Sequence, residues 1–176
     1  MKTLPDILTI EVPVAAIAAS GLPRIDFADG YRMHATLTQI TALQAARAAL
    51  ENPPRFVTTL MAVRNSIVAR FGLKGPEHLR HSPEQRLVGA FPVISESTDE
   101  IVLGGDDKHL DFRIWIAVQP DQAGCTVTLS TLVQLNNRFG KFYLFVIMPF
   151  HRWLSRLMLR RGVVRLGASR NDAQVL

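Results

Sequence analysis

The sequence predicts an α+β fold: a curved antiparallel sheet, two short helices, and a long C-terminal helix packed across the sheet. Three observations predict it. Two helical patterns follow the first strand pattern and are separated by Pro53-Pro54. From Phe91 to Asn137 the apolar period is two, interrupted only by turn signals. After Arg138 the period lengthens and one long apolar helix begins. A meander must bury one face, and the last helix is the only long apolar cover available. The 176 residues are 48 % hydrophobic and 20 % charged, which suits a single globular domain with a sizeable core.

Residues 1–24 read as an N-terminal arm with a short strand within "ILTIEVPV". Asp6 and Glu11 interrupt its apolar run, and Pro5 and Pro13 bracket it, so a secretory leader is not expected. With a single cysteine, Cys125, a cytoplasmic location is the expectation. "YRMHATLT", residues 31–38, alternates: Tyr31, Met33, Ala35 and Leu37 share one face, opposite Arg32, His34 and Thr36. "TALQAARAALEN" is rich in helix formers. A second helix is predicted from about Arg55 to Phe71, ended by Gly72. The polar stretch that follows reads as a loop, with His78 and His81 as solvated imidazoles; a metal pair would need further ligands.

Four strands should form the meander. "FPVISES" and "EIVLG" flank the turn "TD"; "HLDFRIWIAVQ" and "CTVTLSTLVQLNN" flank "PDQAG". The densest cluster of reactive groups is "GGDDKHLDFR", residues 104–113. Gly104 to Lys108 should be the turn. Beyond it, His109, Asp111, Arg113 and Trp115 share a face opposite Leu110, Phe112, Ile114 and Ile116. The first set faces outward or covers another element. It forms ion pairs there, or His109 and Arg113 line a polar rim. Metal binding by Asp107, His109 and Asp111 is not expected, because side chains at i, i+2 and i+4 spread about 13 Å along a strand.

The last helix is predicted over about Arg138–Arg161, with a kink or break near Phe145 caused by Pro149. Its first half, "FGKFYLFVIMPF", is apolar nearly all round. Residues 25–162 then form one domain, and residues 163–176 a flexible tail.

The order resembles the helix-grip fold of the START and polyketide-cyclase-like superfamily. The sequence itself is similar to an uncharacterised bacterial family placed there. The resemblance rests on "LPRIDFADGYRM", on "FPVISESTDEIVLGGDDKHLDFR" and on "FGKFYLFVIMPFHRWLSRLMLRR". It implies a hydrophobic-ligand pocket between sheet and last helix. Only about five strands are evident here, where that superfamily usually shows seven; residues 72–90 could hold another.

A gap between a sheet and one helix is where a pocket is expected. Tyr31, Met33, Phe112, Ile114, Ile116, Tyr143, Ile147 and His151 are placed to line it. A lipid, sterol or aromatic polyketide-like molecule is the expected ligand. The alternative is an acid–base enzyme (cyclase, dehydratase or hydrolase) drawing on His34, His109, Asp111, Arg113 and His151. The nucleophile and nucleotide motifs G-x-S-x-G, P-loop and G-x-G-x-x-G are missing from the sequence, and neither cofactor nor metal is expected. Cys125 reads as structural. From Arg138 onward there are eight basic residues and one acid; before it there are twelve and fourteen, so the net +5 belongs to the last segment. Arg152, Arg156 and Arg160 form a stripe that suits a solvated face or a membrane surface. Without interleaved exposed aromatics or a reading motif, nucleic acid is not expected. The apolar half-helix offers a third reading, a homodimer.

Overall fold

A computed structural model describes residues 6–59 and 85–173. Among the described residues, seven strands form one antiparallel sheet: β1 (Leu8–Ile10), β2 (Phe27–Ala35), β3 (Leu87–Val88), β4 (Phe91–Glu96), β5 (Glu100–Asp106), β6 (Leu110–Asp121) and β7 (Gly124–Leu135). Their spatial order is β1-β2-β7-β6-β5-β4-β3. The meander β3 to β7 is sequential, and β2 closes it by pairing antiparallel with β7, from Phe27 opposite Val133 to Ala35 opposite Cys125. β4 carries a bulge between Val93 and Ser95. The two strands beyond the five that the alternation shows are β1 and β3. Three and two residues are too few for a period to register. Of the two, β1 lies within the "ILTIEVPV" segment.

Helix α1 (Val14–Ser20) follows β1, and Gly21 ends it with φ 64°, the left-handed conformation that glycine adopts without strain. Helix α2 (Ala42–Leu50) starts at a capping box: the Thr41 hydroxyl accepts from the Gln44 N–H, and the Gln44 side chain accepts from the Thr41 N–H. Ala42, Ala45, Ala46 and Ala49 form its buried side. Of the predicted second helix, residues 55–59 are helical; the rest, like His78 and His81, lies outside the described residues.

Helix α3 (Arg138–Ala173) runs past Arg161, so residues 163–173 continue the helix where the pattern suggested a tail. Val163 is buried against α2, which explains the extension. A Cβ on Gly162 would sit 2.9 Å from the Ala49 backbone, so this glycine lets α2 and α3 approach. Pro149 interrupts neither half. It and Phe145 are exposed, on a side where water can satisfy the carbonyl that proline leaves without a donor.

The core sits between the sheet's inner face and the helices α2 and α3. Tyr31, Met33 and Ala35 of β2, Ile101 and Leu103 of β5, Ile116 and Val118 of β6, and Val127 and Leu129 of β7 meet Leu159 and Val163 there. Trp115, Ala117, Val102 and Leu132 of the outer face are covered by α1 through Ala16, with Val12, Ala19 and Leu22 beside it. The sheet is therefore sandwiched along part of its width, and the N-terminal segment is a working layer of the fold.

Candidate functional site

Strand parity places Asp29 and Tyr31 of β2 on the inner face, and one helical turn separates His151 from Ser155 on α3. These four meet. The His151 Nε2 lies 3.4 Å from each oxygen of the Asp29 carboxylate and 3.5 Å from the Ser155 hydroxyl. The Tyr31 hydroxyl donates to Asp29 at 3.2 Å. The Arg156 guanidinium stacks 5.3 Å from the centre of the Tyr31 ring, and the Phe27 ring meets His151 edge-on. Asp29 has only 8 % of its side chain exposed, and His151 24 %. Burial first, and then the Asp29 charge, push the Tyr31 phenol up to about 12.

An aspartate, a histidine and a serine together suggest an acyl-transfer relay, but the geometry does not make one. A relay needs the acid on one imidazole nitrogen and the nucleophile on the other. Here the same Nε2 faces both. The arrangement is a carboxylate–imidazole pair in direct contact, with the Ser155 hydroxyl beside the imidazole.

Beside this cluster lies a group of half-buried apolar side chains: Phe91, Val93, Phe112 and Ile114 on the sheet and Tyr143, Ile147 and Met148 on α3. The Phe91 and Phe112 rings meet edge-on, 5.9 Å between centres. Further along α3 the packing is tight: the space bounded by Ala45, Ala49, Ile116, Leu159 and Gly162 is about 10 Å³, which is room for about one water. Tyr31, Met33 and Ile116, each 1 % exposed, are packed core residues.

The Gly104–Arg113 cluster resolves into structural contacts. Gly104 to Asp106 belong to β5, so the turn is shorter than the glycines suggest. Arg113 and Trp115 do take the outer face, and α1 buries them: Arg113 is 9 % exposed and Trp115 3 %. Arg113 pairs with Asp106 at 2.6 Å and donates to the Ser20 carbonyl at 3.1 Å. Asp111 accepts from the Asp107 N–H and from the Asn136 amide. His109 precedes β6 and, where the alternation suggested the outer face, packs against α3. It is 2 % exposed, with Phe139 and Tyr143 of α3 edge-on to it at 6.1 and 5.5 Å and the Asp107 carboxylate at 3.4 Å.

His34 does not face His109. It pairs with Asp121 at 3.1 Å, at the far end of the sheet near the β6–β7 turn. Cys125 is buried, and burial, then the Asp121 charge, raise its thiol pKa, which disfavours the reactive thiolate. Of the sequence candidates, His151 and Tyr31 thus share one cluster, and His109 and Tyr143 share another. Asp29 and Ser155 escaped sequence reasoning. The signal for Asp29 was available: it alternates in phase with Tyr31 and Met33, an acid on a face that must be buried.

A family described as "Protein of unknown function (DUF2867)" matches residues 22–158. The chain belongs to that family. The DUF2867 match starts just after α1 and ends within α3. It takes in Asp29, Tyr31, His109, Arg113, His151 and Ser155, and leaves β1 and α1 outside. Among curated proteins nothing matches. Among solved structures, the crystal structure of protein NE0264 from Nitrosomonas europaea aligns over 81 % of this chain and 96 % of that one. Its identity is 9 % and its TM-score 0.30, so the likeness carries no argument about this DUF2867 chain.

Proposed function

We propose that this domain binds a small hydrophobic molecule of the lipid, sterol or aromatic polyketide class, between the sheet and the first half of α3. In this reading the fold is a helix-grip, START-like one. Seven antiparallel strands with a long C-terminal helix across the inner face support that reading. The observation that carries the function is the half-buried apolar lining of Phe91, Phe112, Ile114, Tyr143 and Ile147, running towards the Asp29–His151 pair. Pockets of this kind combine an apolar wall with few polar groups that fix orientation. A hydroxyl-bearing ligand suits the pair best, since a second carboxylate beside the nearly buried Asp29 would be repelled.

The test is native mass spectrometry and titration with a panel of fatty acids, sterols and phenolic polyketides. Sterols or phenols should bind more tightly than fatty acids, and His151→Phe should weaken them about tenfold. If no panel member binds, the reading fails. A second reading, acid–base chemistry, draws on the same Asp29–His151 pair. Product formation from a bound polyketide, abolished in Asp29→Asn, would favour it over binding alone.

A further inference from the structure

Among the described residues, only Phe56 makes a ring contact with the solvent side of α3, yet that side is apolar. Phe142, Phe145, Val146, Phe150 and Trp153 are between 51 % and 79 % exposed. Their spacing puts them on one side of the helix, opposite Leu144, Met158 and Leu159, which are buried. From Phe142 to Trp153 the band is about 16 Å long. Phe56, itself 48 % exposed, meets the Trp153 ring at 5.6 Å and widens it. Single exposed apolar side chains are common on protein surfaces, whereas a continuous band of large ones marks an interaction surface.

The flanking charges decide what the band meets. Arg138 and Lys141 are exposed before it, and Arg152, Arg156 and Arg160 at its end and beyond; α3 carries no acid until Asp172. A second copy of this chain would bring the same cations face to face, which is unfavourable. An anionic lipid surface neutralises them, at about 1 kcal/mol per basic residue. Among the described residues no helix is long and apolar enough to cross a membrane, so α3 would lie along the surface. Phenylalanine enters the acyl boundary in such helices, and tryptophan favours the headgroup level.

We propose that this face docks the protein on anionic membranes, with Phe142, Phe145, Val146, Phe150 and Trp153 in the acyl boundary and the cations on lipid headgroups. The inference is independent of the ligand-binding reading, because these side chains point away from the inner face.

The test is flotation of the full chain with vesicles of phosphatidylcholine, with and without phosphatidylglycerol. The protein should float with the anionic vesicles and stay behind with the neutral ones. The pair Phe145→Glu with Phe150→Glu, and the pair Arg152→Glu with Arg160→Glu, should each lose at least about tenfold in partitioning. Arg156 is left alone because it also donates to the Thr9 hydroxyl. Trp153 emission should shift to the blue on anionic vesicles, and Trp153→Phe should remove that shift while flotation persists. Absence of flotation by the unaltered protein overturns the proposal, as do variants that float as well as it does. A dimer in light scattering that the Phe145→Glu, Phe150→Glu pair dissolves would reassign the face to a second copy and overturn it equally.

Discussion

The Arg113 Nε donates to the Ser20 carbonyl at 3.1 Å, joining a central strand of the meander to the last residue of α1. The same guanidinium reaches Asp106 at 2.6 Å through Nη1 and also donates to the Phe112 carbonyl. One buried side chain thus ties the N-terminal segment to the β5–β6 hairpin. Within the cluster densest in reactive groups, Arg113 and Asp106 form a fastening.

Removing that fastening should cost stability. Arg113→Met keeps the apolar stem and deletes the donors, leaving the Ser20 carbonyl without this partner. The expected loss in urea unfolding is about 1–3 kcal/mol. Asp106→Asn should cost less, because Asp106 is 47 % exposed and its pair is partly screened. A change below about 0.5 kcal/mol for Arg113→Met would show that α1 is held by its apolar contacts alone.

Gly140 offers a prediction whose sign is informative. It lies in the first turn of α3, where helix propensity by itself makes Gly140→Ala stabilising by up to about 1 kcal/mol. In the structure a Cβ there would overlap the His109 carbonyl oxygen, which is backbone and accepts from the Asn136 N–H. Destabilisation by about 1–3 kcal/mol is therefore expected, read as a lower urea midpoint. A raised midpoint would mean that the turn holding His109 moves aside freely.

Alkaline pH should act through Tyr31. The folded Tyr31 phenol ionises at about 12, above the unfolded value of about 10. Between those values the unfolded chain binds fewer protons than the folded one, so stability falls as pH rises. Absorbance titration of the folded protein should contain a late phenolate step that Tyr31→Phe deletes. If that variant leaves the late step in place, the assignment is wrong.

Acid acts at the end of β6, on Asp121. The Ala123 N–H first, and then His34, hold the Asp121 carboxyl below the usual carboxylate range. Its folded value lies below its unfolded one. Its contribution is therefore present above the unfolded value and is lost as pH falls through the folded value. Urea midpoints measured from about pH 5 down to about pH 2 should fall less steeply in Asp121→Asn than in the parent. Parallel slopes would remove Asp121 from the acid response.

Much of the fold was legible because it is periodic. The face shared by Tyr31, Met33 and Ala35 follows from alternation, and so does the face shared by Arg113 and Trp115. The helix formers of "TALQAARAALEN" were equally readable, and four of its alanines form the buried side of α2. Element α1 was not, since seven residues give a period too little room, and β1 and β3 were legible only as a short strand within "ILTIEVPV" and as room for a further strand within residues 72–90. The candidate site was half legible. His151 stood out as a histidine on an apolar helix, whereas Asp29 becomes its partner only through a contact between residues 122 positions apart.

The sequence by itself determined which strand side chains alternate together, and that one long helix must cover the meander. These are local, repeating properties of strand and helix geometry. Only the tertiary structure decided what lies on each face. The outer one takes α1 because Ala16 fits against Trp115 and Leu132, and the inner one brings Asp29 to His151. Such pairings are made by packing between distant segments, and no periodicity along the chain encodes which segment arrives.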